Sequence, residues 1–210
     1  MHQHHHSGEP AHAHGAPEDP ERWQRMFERQ QARSHLIWRW LEALQVRPGT
    51  VLADIGAGPG LASLTAARMA GPTGRIYAVD SEPGALEFLR QRWQEQHQAG
   101  VPLAPVFPVV ADAARVTLPE PVDALLVTHM LHHAADPQEV LRRCRALVRP
   151  GGRAVVAEFD PQAPGAFGPP RERRIPRALL QAWLHEAGWL ADELVTDQEE
   201  QYAWRLRPAP

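Results

Sequence analysis

Lysine and asparagine are missing from the 210 residues, and Cys144 is the only cysteine. One thiol allows no internal disulfide and no thiolate metal cluster, which suits a reducing, cytoplasmic setting. No apolar run approaches the roughly 18 residues that a membrane-spanning helix needs, so no membrane partner is expected. The opening residues also lack the charged-then-apolar order of a secretory signal. Without lysine there is no nucleotide-triphosphate loop ending in Gly-Lys-Ser/Thr. The formal net charge of −3 gives no electrostatic case for nucleic acid. Two arginine runs, Arg142/Arg143/Arg145 and Arg171/Arg173/Arg174, are read as solvated faces, with a local anion patch as the alternative.

Hydrophobic residues make up 43% of the chain, enough for a core. Residues 1–20 stand apart, being rich in His, Pro, Gly and Ala and without apolar periodicity. They are expected to be a disordered tail. The tail's histidines, His2, His4, His5, His6, His12 and His14, would chelate metal weakly, but a floppy segment fixes no coordination geometry, so no metal site is assigned.

Residues 21–48 read as a helical segment, with Trp23, Phe27, Ile37, Trp38, Leu41 and Leu44 near 3–4 spacing and Pro48-Gly49 as its stop. Residues 49–207 then alternate. Strand-like runs at 50–55, 75–79, 106–110, 122–128 and 152–159 are separated by helical runs at 61–70, 82–98 and 137–148. Asp136-Pro137-Gln138-Glu139 carries the acidic cap, the first-turn proline and the glutamate of a capping box. Such alternation predicts an α/β fold, a doubly wound, mostly parallel sheet with helices on both faces. Near the end, a helix over 176–187 closes at Gly188. Two short strands at 193–196 and 201–206 follow as an antiparallel pair, with Tyr202, Trp204 and Leu206 on one face.

The chemistry begins at Asp54-Ile55-Gly56-Ala57-Gly58-Pro59-Gly60, where a buried strand runs into a glycine turn and a helix. Gly56, Gly58 and Gly60 permit positive φ and let a ligand touch bare backbone, and the helix start offers free N–H groups. A dinucleotide loop, G-x-G-x-x-G, would need glycine where Leu61 stands. The second strand ends at Asp80, placed to accept from both hydroxyls of a ribose, with Ser81 left to cap the next helix. A third carboxylate, Asp112, ends the next strand and is followed by Ala113. All three would face the crevice at the strand ends, where open α/β sheets bind ligands.

The pattern Asp-x-Gly-x-Gly-x-Gly resembles motif I of the class I S-adenosylmethionine (SAM)-dependent methyltransferases. Leu147-Val148-Arg149-Pro150-Gly151-Gly152 is similar to the turn before their fifth strand. Val127-Thr128-His129-Met130-Leu131-His132-His133 resembles the stretch after strand four in their small-molecule members. The resemblance implies a seven-stranded sheet of order 3-2-1-4-5-7-6 with strand 7 antiparallel, and methyl transfer by in-line displacement leaving S-adenosylhomocysteine. It implies that the N-terminal helical segment covers the cofactor cleft. Asp54, Gly56, Ala57, Gly58 and Gly60 would hold the methionyl end, Asp80 and Ser81 the ribose side, and Asp112 and Ala113 the adenine. Thr128 or His129 would offer a backbone carbonyl to the methionyl amine.

The acceptor would be a small molecule. Arsenite is unsuited to a chain with one cysteine, and the quinone enzymes' longer N-terminal signature is only faintly echoed at His35–Arg39. Within the 129–133 stretch, His132 and His133 are the candidate general bases for a phenol or thiol acceptor. The plainer alternative is that they cap the next helix or fill space beneath Asp136-Pro137. Two rival functions share the topology: a nicotinamide-dependent oxidoreductase, and a SAM-binding protein that does not turn over.

Overall fold

The computed structural model describes residues 20–165, 168–194 and 200–210. The tail lies outside these residues apart from Pro20, as does the end of the expected strand at 193–196. The chain runs α1 (Pro20–Gln31), α2 (Ser34–Ala43), β1 (Val51–Ile55), α3 (Leu61–Ala70), β2 (Arg75–Asp80), α4 (Pro83–Gln98) and β3 (Val106–Val110). It continues through β4 (Val122–Thr128), α5 (Pro137–Leu147), β5 (Val148–Phe159), α6 (Arg177–Glu186), β6 (Trp189–Leu194) and β7 (Gln201–Pro208).

The seven strands lie in the order β3-β2-β1-β4-β5-β7-β6. β1 through β5 pair in parallel, and β7 runs antiparallel to both β5 and β6. Successive side chains of a strand point to opposite faces, and both faces are covered. Leu52, Ile76, Ala78, Leu126 and Val155 meet α1–α4 on one side. Ala53, Ile55, Val79, Leu125, Val156 and the Tyr202/Trp204/Leu206 row meet α5 and α6 on the other. Two-sided burial is why β1, β2, β4 and the second half of β5 read as continuous apolar runs, whereas the edge strand β3 is apolar yet largely exposed.

Several boundaries differ from the sequence expectation, among them the start of β5, at Val148 rather than 152. The N-terminal helical segment is two helices, because Arg33 leaves helical geometry at φ −119°, ψ 20°. The break lets α2 turn Leu36, Ile37, Trp40 and Leu41 into the core while α1 takes its own course. α2 stops before Pro48, since Gln45 at φ 56° and the Val46 N–H to Leu41 carbonyl bond form a Schellman turn without glycine. β6 starts at Trp189, directly after Gly188 at φ 80° ends the helix. The expected cap of α5 is present, with Asp136 Oδ1 accepting from the Glu139 N–H at 2.9 Å. Among the described residues no helix is long and apolar enough to cross a membrane.

Gly60 sets how closely α3 and α4 approach. Its φ is +84°, and a Cβ there would sit 2.5 Å from Leu89 Cδ1. Gly60→Ala is therefore expected to cost about 1–3 kcal/mol, read as a melting temperature several degrees lower. An unchanged melting curve would show that neither the close approach nor the backbone conformation constrains this position.

Candidate active site

A cavity of about 1180 Å³ opens at the C-terminal ends of the first four strands. It exceeds the roughly 300–1,000 Å³ of an ordinary single-ligand cleft. Asp54, Gly56, Ala57, Gly58, Asp80, Ser81, Asp112, Ala113, Thr128, His129, His132 and His133 all line it. Gly60 is not among the lining residues; a side chain there would face Leu89, at the packing of α3 against α4.

The glycine turn is tied to the strand beside it. Gly56 and Ala57 donate their N–H groups to the Val79 carbonyl, and Gly58 donates to Asp80 Oδ2 at 2.7 Å. Asp80 Oδ1 accepts from the Glu82 N–H at 3.0 Å. Asp80 itself, rather than Ser81, therefore shapes the entry to α4. Asp112 Oδ1 accepts from the Ala114 N–H at 2.8 Å, which holds the β3 exit loop. A side chain at Gly58 would reach only Met26 Sδ, at 3.6 Å, and Gln30 Nε2, at 3.8 Å, so the turn presents bare backbone beneath α1.

Asp54 is the buried member of the carboxylate set, 2% exposed, with Ser63 Oγ donating to its Oδ2 at 2.7 Å. Burial pushes its carboxyl up to about 6, the Ser63 hydroxyl opposes this, and the Asp80 charge adds to it.

The opposite wall comes from the N-terminal helices. Trp23, Met26, Gln30, Arg33, Ile37 and Trp40 line the cavity, and Gln30 Oε1 accepts from the Leu61 N–H at the start of α3. Trp38, two positions before Trp40, is 47% exposed and does not line the cavity.

The histidine segment forms the floor. His129 adopts φ 55°, uncommon for a residue with a side chain. Its ring lies between Trp40 and Phe159, at 5.6 and 4.4 Å, with Nε2 against Gln201 Oε1 at 2.7 Å. Burial pulls its imidazole down to about 4, so it is neutral at neutral pH.

Leu131–His133 then makes one 3₁₀ turn. His132 Nδ1 meets Glu158 Oε2 at 2.7 Å, and Glu158 Oε1 accepts from the Leu131 N–H at 2.8 Å. The His133 ring lies 4.1 Å from that of His132, and burial, reinforced by the His132 charge, lowers its pKa. Glu158 is fully buried, and sequence reasoning missed it. The available signal was a lone carboxylate inside the apolar run Ala154–Phe159.

Most of the two arginine runs is structural. Arg142 pairs with Glu139, Arg143 donates to the Val116 carbonyl, Arg145 to Gly188 and Ala209, and Arg174 to Glu200. Only Arg173 of these lines the cavity. Among the described residues no group of His, Cys, Asp or Glu is arranged to hold a metal ion.

The model of a methyltransferase domain family matches residues 53–156. An uncharacterised 37.1 kDa protein in transposon TN4556 of Streptomyces fradiae is 32% identical over 120 residues, 57% of this chain and 33% of that protein. A ubiquinone/menaquinone biosynthesis C-methyltransferase of Ralstonia pickettii is 33% identical over 129 residues, 60% of this chain and 51% of that enzyme. The chain thus matches about a third of the first relative's length and about half of the second's. The crystal structure of a SAM-dependent methyltransferase from Aquifex aeolicus superposes with a TM-score of 0.76 at 17% identity, covering 90% of this chain and 98% of that one, which establishes the fold.

The raised Asp54 carboxyl predicts a pH dependence. A carboxylate with a raised folded-state pKa holds its proton more tightly when folded, so its charge destabilises the fold above about 6, and the cost fades as pH falls toward the ordinary 3.8. Asp54→Asn should therefore melt higher than the parent at pH 8, with the gap closing near pH 4. A gap independent of pH would mean that Asp54 carries no such buried charge.

Proposed function

Because the chain belongs to the class I SAM-dependent methyltransferases, we propose that it moves a methyl group from SAM to a small-molecule acceptor within this cavity. The observation carrying the proposal is the convergence of Asp54, Asp80, Asp112 and the bare glycine turn on one space. The fit to the cofactor rests on that donor set. Asp54 is a buried carboxylate with no cation against it among the described residues, suited to the methionyl amine end. Asp80 suits vicinal hydroxyls, and Asp112 with the Ala113 N–H suits an adenine edge.

SAM supplies an activated methyl group on a sulfonium. The acceptor's lone pair forms the new bond to the methyl carbon while the carbon–sulfur bond breaks, its electron pair going to sulfur. What remains for the protein is alignment, exclusion of water and removal of the acceptor's proton. α1 and α2 supply the roof for the first two.

For the third we assign His132. With Nδ1 donating to Glu158, the neutral ring keeps its lone pair on Nε2, the arrangement of a base oriented by a carboxylate. Glu158 acts through His132 and is a positioning residue. His133 lies tilted against His132, and His129, held neutral and enclosed, shapes the floor. A cytoplasmic setting suits the single thiol, since Cys144 is buried and burial pushes it up to about 12.

Calorimetry should show binding of both SAM and S-adenosylhomocysteine, and no binding of either would end this reading. Asp80→Ala should weaken that binding by about 2–3 kcal/mol, since it removes a charge-assisted contact and an anchor of the glycine turn. His132→Ala should lower turnover roughly 10²–10⁴-fold with SAM affinity unchanged. Glu158→Gln is expected to shift the pH–rate profile as well, because an amide facing Nδ1 favours the tautomer protonated on Nε2. Full activity in both variants would leave the pair a structural element.

A further inference from the structure

One cation lining the cavity has no carboxylate partner among the described residues. Arg33, at the turn between α1 and α2, lines the cavity, and its Nε donates to the Arg29 carbonyl at 3.3 Å. Its Nη1 is buried and has no hydrogen-bond partner among the described residues. A buried donor on a cation is costly to leave unmade, and such atoms are rare.

The carboxylates of this region are committed elsewhere. Glu158 is held by His132 and the Leu131 N–H, Glu200 by Arg174, and Asp160 by Arg177. The neighbouring charges compound the imbalance, since Arg29 and Arg173 line the same cavity. Burial, with the Arg29 charge beside it, pulls the Arg33 guanidinium below its ordinary value. Among the described residues, no carboxylate at this end of the cavity is paired with Arg33, and the arrangement suits a bound anion.

The surroundings narrow its chemistry. The Arg33 guanidinium carbon lies 5.5 Å from the Phe159 ring centroid, and the His132 ring lies 6.0 Å from the same ring. Phe159 therefore borders both the unanswered cation and the base assigned above. Ile37, Trp40, Pro169 and Pro170 complete a largely apolar enclosure. A guanidinium matches the two coplanar oxygens of a carboxylate, and the enclosure matches a flat, apolar body.

We infer that the acceptor is an aromatic or similarly apolar carboxylic acid, its carboxylate on Arg33, its body against Phe159 and its nucleophilic group toward His132. The inference rests on the methyl-transfer reading for the word acceptor, but the anion site is testable without turnover.

The test is calorimetry on the full chain saturated with S-adenosylhomocysteine, titrated with benzoate, 4-hydroxybenzoate and cinnamate and with the amide of each. At least one acid should bind ten-fold or more tighter than its amide. Arg33→Gln should abolish that preference while keeping the S-adenosylhomocysteine dissociation constant within two-fold. Without ligand, Arg33→Gln should melt no lower than the parent, because it removes an unanswered buried charge. Equal binding of acids and amides would overturn the inference, as would no binding of any. So would a loss of S-adenosylhomocysteine affinity in Arg33→Gln with the acid preference retained, which would give Arg33 to the methionyl carboxylate. Failure of S-adenosylhomocysteine itself to bind the parent would instead overturn the methyl-transfer reading.

Discussion

The site depends on where the sheet reverses its order. After β3 the chain returns to the other side of β1, so β1 and β4 are neighbours whose exit loops diverge. A parallel sheet sends all these exits to the same end, and divergence at the switch opens a crevice there. The glycine turn leaves one lip and the histidine segment leaves the other. β2 and β3 extend the first lip with Asp80 and Asp112, while β5 extends the second with Glu158 and Phe159. Groups far apart in sequence meet because register places their strand ends level: Asp54 lies opposite Ala78 and Leu126, and Thr128 opposite Ala157.

Each lip is locked by one carboxylate serving two backbone or ring donors. Asp80 joins the glycine turn to the entry of α4 through Gly58 and Glu82. Glu158 joins β5 to the 3₁₀ turn through Leu131 and His132. The two differ in solvation. Asp80 is partly open to the cavity, whereas Glu158 is fully buried and depends on its partners, because removing one member of a buried pair costs about 3–5 kcal/mol.

Much of this layout was legible from residue pattern. Strand alternation, the Asp136 cap, the glycine turn and the strand-end carboxylates are local signals, and the structure places them at the positions that the pattern indicated. What escaped was non-local. Arg33 breaks the N-terminal helix for a tertiary reason, the separate packing of α1 and α2, and no Gly or Pro marks it. Gly60 shares its motif with Gly56 and Gly58 but answers to Leu89, 29 positions along the chain. Glu158 looks anomalous within an apolar strand until His132 is brought beside it. Likewise Asp80 was expected to be free for ligand, and only the turn geometry reveals its two backbone bonds.

Charge is distributed unevenly around the cavity, and this follows from which elements form each wall. Strand ends β1–β3 contribute Asp54, Asp80 and Asp112. The helical roof and the segment before α6 contribute Arg29, Arg33 and Arg173. In an enclosed space such charges are weakly screened, so a ligand is oriented by field as well as by contact. On the readings proposed above, a cationic donor would be drawn to the carboxylate wall and an anionic partner to the arginine wall, so that the two would face each other before any specific bond forms. Asp54, a buried carboxylate with no cation against it among the described residues, and half-buried Arg33, whose Nη1 has no hydrogen-bond partner among them, stand on opposite walls, and each would be relieved by a ligand of opposite sign.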